Sequence, residues 1–189
     1  MNKTVQILGL SCLLLILQSC GKDGEAGIDP QVYTDSLFAV MNADRSNYTK
    51  LVVKRLGPEG SGVVSPNEHW QDLDNGIPLP AQMLRAGAEK VGESTSNFTY
   101  SLQSLWPINK QNAPRTDKEK EGLQFIVDNP GKNFYATENL SGTNYYTAVY
   151  ADIGVSVACI ACHNAHKDSP RSDFKLNDVM GGVVIRVPL

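Results

Sequence analysis

Cysteine is scarce in this chain: four among 189 residues are too few for a disulfide-built scaffold. A basic excess is also missing, since 17 Lys and Arg stand against 20 Asp and Glu, and a net charge of -3 offers no positive surplus for a phosphate backbone. Nucleic-acid binding is thereby excluded. Aromatics make up only 7% of the residues, while 41% apolar and 20% charged content fits a globular α/β mixture and neither a disordered chain nor a membrane bundle. The length suits one domain. No glycine-rich phosphate fingerprint follows a strand, because Gly57-Pro58-Glu59-Gly60-Ser61-Gly62 comes after a helix and reads as a stop and a loop. Ser65 and Ser141 lack the glycine-flanked elbow of a serine hydrolase. The acid pairs Asp72/Asp74 and Asp117/Glu119 have spacings that suit calcium or acid–base work, yet one lies in a loop and the other caps a helix, which favours solvated or structural roles. Turnover chemistry is therefore not expected.

The one strongly apolar run comes first. Lys3 precedes Ile7 to Leu17, which is shorter than the about 20 residues a membrane-spanning helix needs and suits the core of an export signal. Leu17-Gln18-Ser19-Cys20 closes it in the manner of a bacterial lipobox, with Gln18 a less usual choice. Residues 1–19 are thus expected to be a signal peptide, with Cys20 acylated as a lipid anchor and residues 20–29 a flexible tether. Ordinary cleavage near Ser19, leaving Cys20 a free thiol, is the alternative. Gly21 is not the aspartate that marks inner-membrane retention in many bacteria, so the expected location is the outer membrane, facing the periplasm or the surface.

Asp29-Pro30 is a cap followed by a proline suited to the first helical position, and Leu37, Val40, Met41, Tyr48, Leu51, Val52 and Leu56 recur at helical spacing until Gly57-Pro58. At about 1.5 Å per residue this predicts a helix of roughly 40 Å. Residues 57–77 read as a loop around Trp70. Pro78-Leu79-Pro80 opens a second helix ending at Gly92, Phe98 to Leu105 alternates as a strand, and Thr116 with Glu119 forms a capping box for a third helix. The last third reads as strands at Phe134–Thr137, Tyr145–Ala151, Gly154–Ala158 and Gly182–Val187. The pattern predicts an α+β domain over residues 30–189, with an antiparallel sheet covered by helices on one face.

Cys159-Ile160-Ala161-Cys162-His163 is the sharpest signal. Two thiols three positions apart lie on about one helical turn and reach the two vinyl groups of one haem, while the next residue sets an imidazole under the iron. Export agrees with this chemistry, since bacteria attach haem outside the cytoplasm. Two competing readings are a Cys159–Cys162 disulfide and a zinc site built with His163 or His166 and a remote His69. A thioredoxin-type redox pair lacks the βαβ unit it requires. For the far side of the iron, His166 would point the same way as His163, which leaves Met41, Met83, Met180, His69 or an open position.

Tyr48-Thr49 with Val52-Val53, Ile77-Pro78-Leu79-Pro80-Ala81, Trp106-Pro107-Ile108-Asn109 with Asn112-Ala113-Pro114, the Cys159–His163 motif, and Asp178 to Pro188 with Gly181-Gly182 occur in an order that resembles the Tll0287-like (DUF3365) haem-binding domain family. The resemblance spans roughly residues 30–189. It implies a PAS-like α+β fold with a long N-terminal helix and further helices packed on an antiparallel sheet. It also implies one haem c, with Cys159 and Cys162 as thioether sites and His163 as the proximal ligand. Some members carry a distal cysteine on the helix before the strand leading into the Asn-rich turn; here Met83 lies near that place and is the expected distal ligand. Asn112 and Arg115 are expected near the haem propionates. In many relatives the module is the external sensor of a kinase or chemotaxis receptor. The resulting expectation is a lipid-anchored mono-haem cytochrome that passes single electrons to an unknown redox or signalling partner. A haem-based redox or gas sensor subunit is the first alternative, and a zinc- or disulfide-stabilised binding module the second.

Overall fold

The computed structural model describes residues 27–189; the signal segment, Cys20 and the tether up to residue 26 lie outside the described residues. Helix α1, Pro30–Asn47, begins as its sequence dictates: the Asp29 carboxylate accepts from the backbone N–H groups of Gln31 and Val32, and Pro30 occupies the first turn. The helical path then widens into a π segment, Tyr48–Lys54. The Thr49 hydroxyl donates to Arg45 O at 2.8 Å at this junction, and a side chain competing for a main-chain carbonyl loosens the regular ladder there. Tyr48, in the widened stretch, donates its hydroxyl to Pro78 O at 2.7 Å and ties this helix to the next.

The loop that follows contains a two-residue parallel pair, β1 (Ser65–Pro66) with β2 (Gly76–Ile77), around a 3-10 turn at Trp70–Asp72. Helix α2 spans Pro80–Ser94, strand β3 Thr99–Gln103, and helix α3 Asp117–Asp128 with the expected Thr116/Glu119 capping box. Strands β4 (Phe134–Leu140) and β5 (Thr143–Ile153) form a hairpin, helix α4 (Val157–Ala165) follows, and β6 (Val179–Pro188) closes the chain. The main sheet runs β3-β6-β5-β4, antiparallel throughout, so the fold is α+β as expected.

Two expectations are corrected. Gly154–Ala158 is not a strand: the β5–β6 register slips at Asp152/Ile153, and Ser156 then caps a helix that includes Val157 and Ala158. The sheet is also covered on both faces. Val149 and Val184 pack with Leu123 and Ile126 of α3, whereas Ala148, Tyr150, Val183 and Ile185 face Leu37, Phe38 and Met41 of α1 and Leu84 of α2. Helix α3 lies so close that a β-carbon on Gly122 would stand 2.6 Å from Val149 Cγ2. Among the described residues no helix is long and apolar enough to cross a membrane.

A buried ionic cluster fastens α3 to the sheet. Arg186 on β6 donates at 2.8 Å to both Glu119 and Glu138, which are 1% and 9% exposed, and Thr147 donates to Glu138 at 2.6 Å. Burial pushes the Glu138 carboxyl up, but the hydrogen bonds from Thr147 and Arg186 and the Arg186 charge outweigh it and hold the group below its ordinary value. A carboxyl depressed on folding contributes stability above its unfolded pKa of about 4.3 and loses that contribution as the pH falls through the folded value. Arg186→Gln strands two buried carboxylates and is expected to cost about 3 kcal/mol at neutral pH. Denaturation curves against pH should show this loss shrinking in acid, as the Glu138 carboxyl takes up its proton; a deficit independent of pH would contradict the ionic account.

Candidate functional site

Helix α4 starts where the sheet lets go. Ser156 Oγ accepts from the N–H of Cys159 at 3.2 Å and lies 3.0 Å from Cys159 Sγ, so the cap also positions the first thiol. Gly154 precedes it at a point of close approach: a β-carbon there would lie 2.6 Å from both Ile160 Cδ1 and Met180 Sδ. At the other end Asn164 makes two hydrogen bonds to the main chain of Phe174, its Nδ2 donating to the carbonyl at 2.9 Å and its Oδ1 accepting at 3.0 Å. Phe174, 3% exposed, thereby sets its ring edge-on to His163 with centroids 6.1 Å apart, and edge-on to Trp106 at 5.7 Å. The Arg171 guanidinium lies over both Trp106 and Phe174, at 4.5 and 4.3 Å from their centroids.

These side chains stand at a cavity of about 840 Å³, within the range of about 300–1,000 Å³ usual for ligand pockets. Cys159 and His163 line one wall; α2 supplies another through Met83 and Arg85; Trp70 and Trp106, the two tryptophans of the chain, line it too. Cys162 is exposed on the same helix, and both thiols are free. Two side-chain pairs frame the rim. Arg45 of α1 grips Asp152 with two bonds, at 2.5 and 3.1 Å, and His166 Nε2 lies 3.2 Å from Glu68. Since the N–H of Asp168 donates to His166 Nδ1 at 3.1 Å, the proton of a neutral His166 sits on Nε2, facing Glu68.

His163 is different. Its Nδ1 is buried without any partner, and burial holds the imidazole below its ordinary pKa, with His166 lowering it further and Asp152 and Glu68 pulling the other way. A neutral imidazole is the state that binds a metal. The Cys162 thiol is pushed up by partial desolvation and by the negative charge of Glu68 and Cys159. Among the described residues no three His, Cys, Asp or Glu side chains converge as a metal-ion group. A cavity of this size, two thiols on one turn and an uncommitted neutral imidazole fit a covalently held haem.

Of the distal candidates, Met83 and Met180 line the cavity, while Met41 packs against the sheet core and His69 lies outside the lining. Met180 is 7% exposed with its sulfur against Gly154 and Ile160, on the α4 side; Met83 is 49% exposed, on α2. Asn112 lines the cavity and Arg115 does not. Neither the Arg45–Asp152 pair, whose members stand 107 positions apart, nor Phe174 behind His163 is marked by any local pattern.

No curated protein sequence matches the chain. A solved structure, that of the cyanobacterial haem-protein Tll0287, is similar with a TM-score of 0.53 at 17% identity, over 85% of this chain and 96% of that one. The likeness extends to the fold. The family model described as Tll0287-like matches residues 30–188, from the first turn of α1 to the end of β6 and across the whole cavity, and on that match the chain belongs to the Tll0287-like family.

Proposed function

We propose that this chain is a mono-haem c-type cytochrome that carries single electrons in the cell envelope, anchored by a lipid on Cys20. The observation that carries this reading is His163: a half-buried imidazole, held below its ordinary pKa, whose buried Nδ1 has no partner, one residue beyond a Cys-x-x-Cys turn on the wall of an 840 Å³ cavity. Membership of the Tll0287-like family, together with a fold shared with the haem-protein Tll0287, supports it. Haem c supplies a one-electron iron couple when bound. The chain's own residues do the rest. Cys159 and Cys162 hold the porphyrin by thioether bonds, and His163 is the proximal ligand, oriented by the Phe174 ring at its side. Met83 on α2 is assigned the distal position, because Met180 sits against the same wall as the motif. Arg45 and Asp152 keep the open end of the sheet fixed beside the site.

A second reading, a haem-based redox or gas sensor acting through a partner, is favoured by the exposure of Met83, since a half-exposed ligand is readily displaced. Six-coordinate iron in both oxidation states indicates transfer; a five-coordinate ferrous form that takes carbon monoxide indicates sensing.

The full chain made with haem-attachment machinery is expected to give a c-type pyridine haemochrome, and Cys159→Ser with Cys162→Ser to lose all covalent haem. Colourless protein with both thiols unmodified by mass spectrometry would defeat this reading. Met83→Ala is expected to lower the midpoint potential and change the ferric spectrum, because methionine ligation raises the potential; an unchanged spectrum would remove Met83 from the coordination sphere. Cys20→Ala is expected to move the protein from the membrane fraction to the soluble fraction, since stable anchoring depends on the acyl chains.

A further inference from the structure

A histidine that binds a metal almost always donates the proton of its other ring nitrogen to a carboxylate, a carbonyl or water, which orients the ring and makes it a stronger donor. His163 makes no such bond. Its Nδ1 is sealed from solvent without a partner, which leaves Nε2 as the nitrogen for the cavity that the residue lines.

The acceptors around this ring are all taken. Asp152 and Glu68 lie near enough for their charge to act on it, yet neither bonds to it. Arg45 holds both oxygens of Asp152, at 2.5 and 3.1 Å, and Glu68 lies 3.2 Å from Nε2 of His166, the nitrogen that carries that ring's proton. Asn164, the next residue, accepts from the Phe174 N–H with its Oδ1 at 3.0 Å and donates its Nδ2 to the Phe174 carbonyl at 2.9 Å. What stands beside the imidazole instead is the Phe174 ring, 3% exposed and 88° from the plane of His163. That ring is pinned in turn, edge-on to Trp106 and beneath the Arg171 guanidinium at 4.3 Å. Asp173 at 2.7 Å and Asp178 at 3.5 Å balance Arg171, so this cation holds a ring in place and adds little net charge.

We propose that Phe174 is a positioning residue that denies the proximal imidazole an acceptor, so that His163 meets iron as a neutral, weak donor and the ferrous state is favoured. The proposal rests on the haem reading given above and adds the direction in which the protein tunes the group. An imidazole whose Nδ1–H is hydrogen-bonded gains anionic character and stabilises ferric iron; one without that bond does not.

The test uses the full chain with its haem and compares two substitutions at one position. Phe174→Gln offers a carbonyl to Nδ1, whereas Phe174→Leu removes the aromatic ring and offers none, so lost packing is common to both. The equilibrium constant for reduction is expected to be lower in the Gln variant than in the Leu variant by about tenfold, or about 59 mV for one electron. Equal potentials in the two variants assign Phe174 to packing alone and overturn the proposal. A second measurement needs no substitution. Photolysis of the ferrous carbon monoxide adduct leaves five-coordinate iron whichever side chain is distal, and resonance Raman reads its iron–histidine stretch. The parent is expected to match ferrous haem carrying one hindered imidazole in dry toluene, where the N–H has no acceptor. A stretch matching the same complex with an alcohol added as acceptor overturns the proposal, and this frequency decides where the variants do not fold. Colourless protein would defeat the haem reading alone: the NMR shift of the His163 ring nitrogens in that protein still shows whether Nδ1 is bonded, and a bonded Nδ1 overturns the role given to Phe174.

Discussion

The structure depends on the burial of β6 on both faces. Val184 is 2% and Ile185 0% exposed, and they point to opposite sides, so one layer of helices is not enough to keep this strand dry. Helix α3 seals one side, at the distance Gly122 permits, and α1 with α2 seals the other. The two layers give out where β5 and β6 slip register at Asp152 and Ile153. At that end the chain has backbone to satisfy and no sheet to satisfy it with. It does so through Gly154, whose N–H donates to Asp178 O and whose carbonyl accepts from Asn177, and through the capped start of α4.

The site is therefore a consequence of how the sheet ends. A slipped register turns Asp152 toward Arg45, the glycine behind it lets Met180 and Ile160 close in, and the helix that follows presents Cys159 and His163 to the space left under α2. The electrostatics follow the same geometry. Burial keeps His163 neutral despite two nearby carboxylates, while His166, three positions on, is bonded to Glu68. Two histidines on one short helix and its cap are thus separated in role by their surroundings: one is left free for a ligand and the other holds the loop after α1 against the end of α4.

Much of this was legible in the sequence where the signal is local. Asp29-Pro30 and the Thr116/Glu119 box place helix starts because each acts within one turn. The Cys159–His163 spacing was legible for the same reason. The start of α4 was not, because Val155 and Val157 are β-branched and alternate with small residues, a pattern that favours a strand unless the Ser156 cap and the slipped register are known. The second helical layer was missed because a central strand buried on both faces lacks the polar alternation that marks a half-exposed one. The cavity walls were out of reach of any local reading, since they join α1, α2 and the end of β5 across the length of the chain.

Trp70 and Trp106 come from separate loops, yet both stand on the same cavity, and the chain has no other tryptophan. Every indole in the molecule is consequently within reach of whatever absorbs light in that space. Ultraviolet emission from this protein is a built-in gauge of whether its central chamber holds a chromophore, and it needs no label to be read.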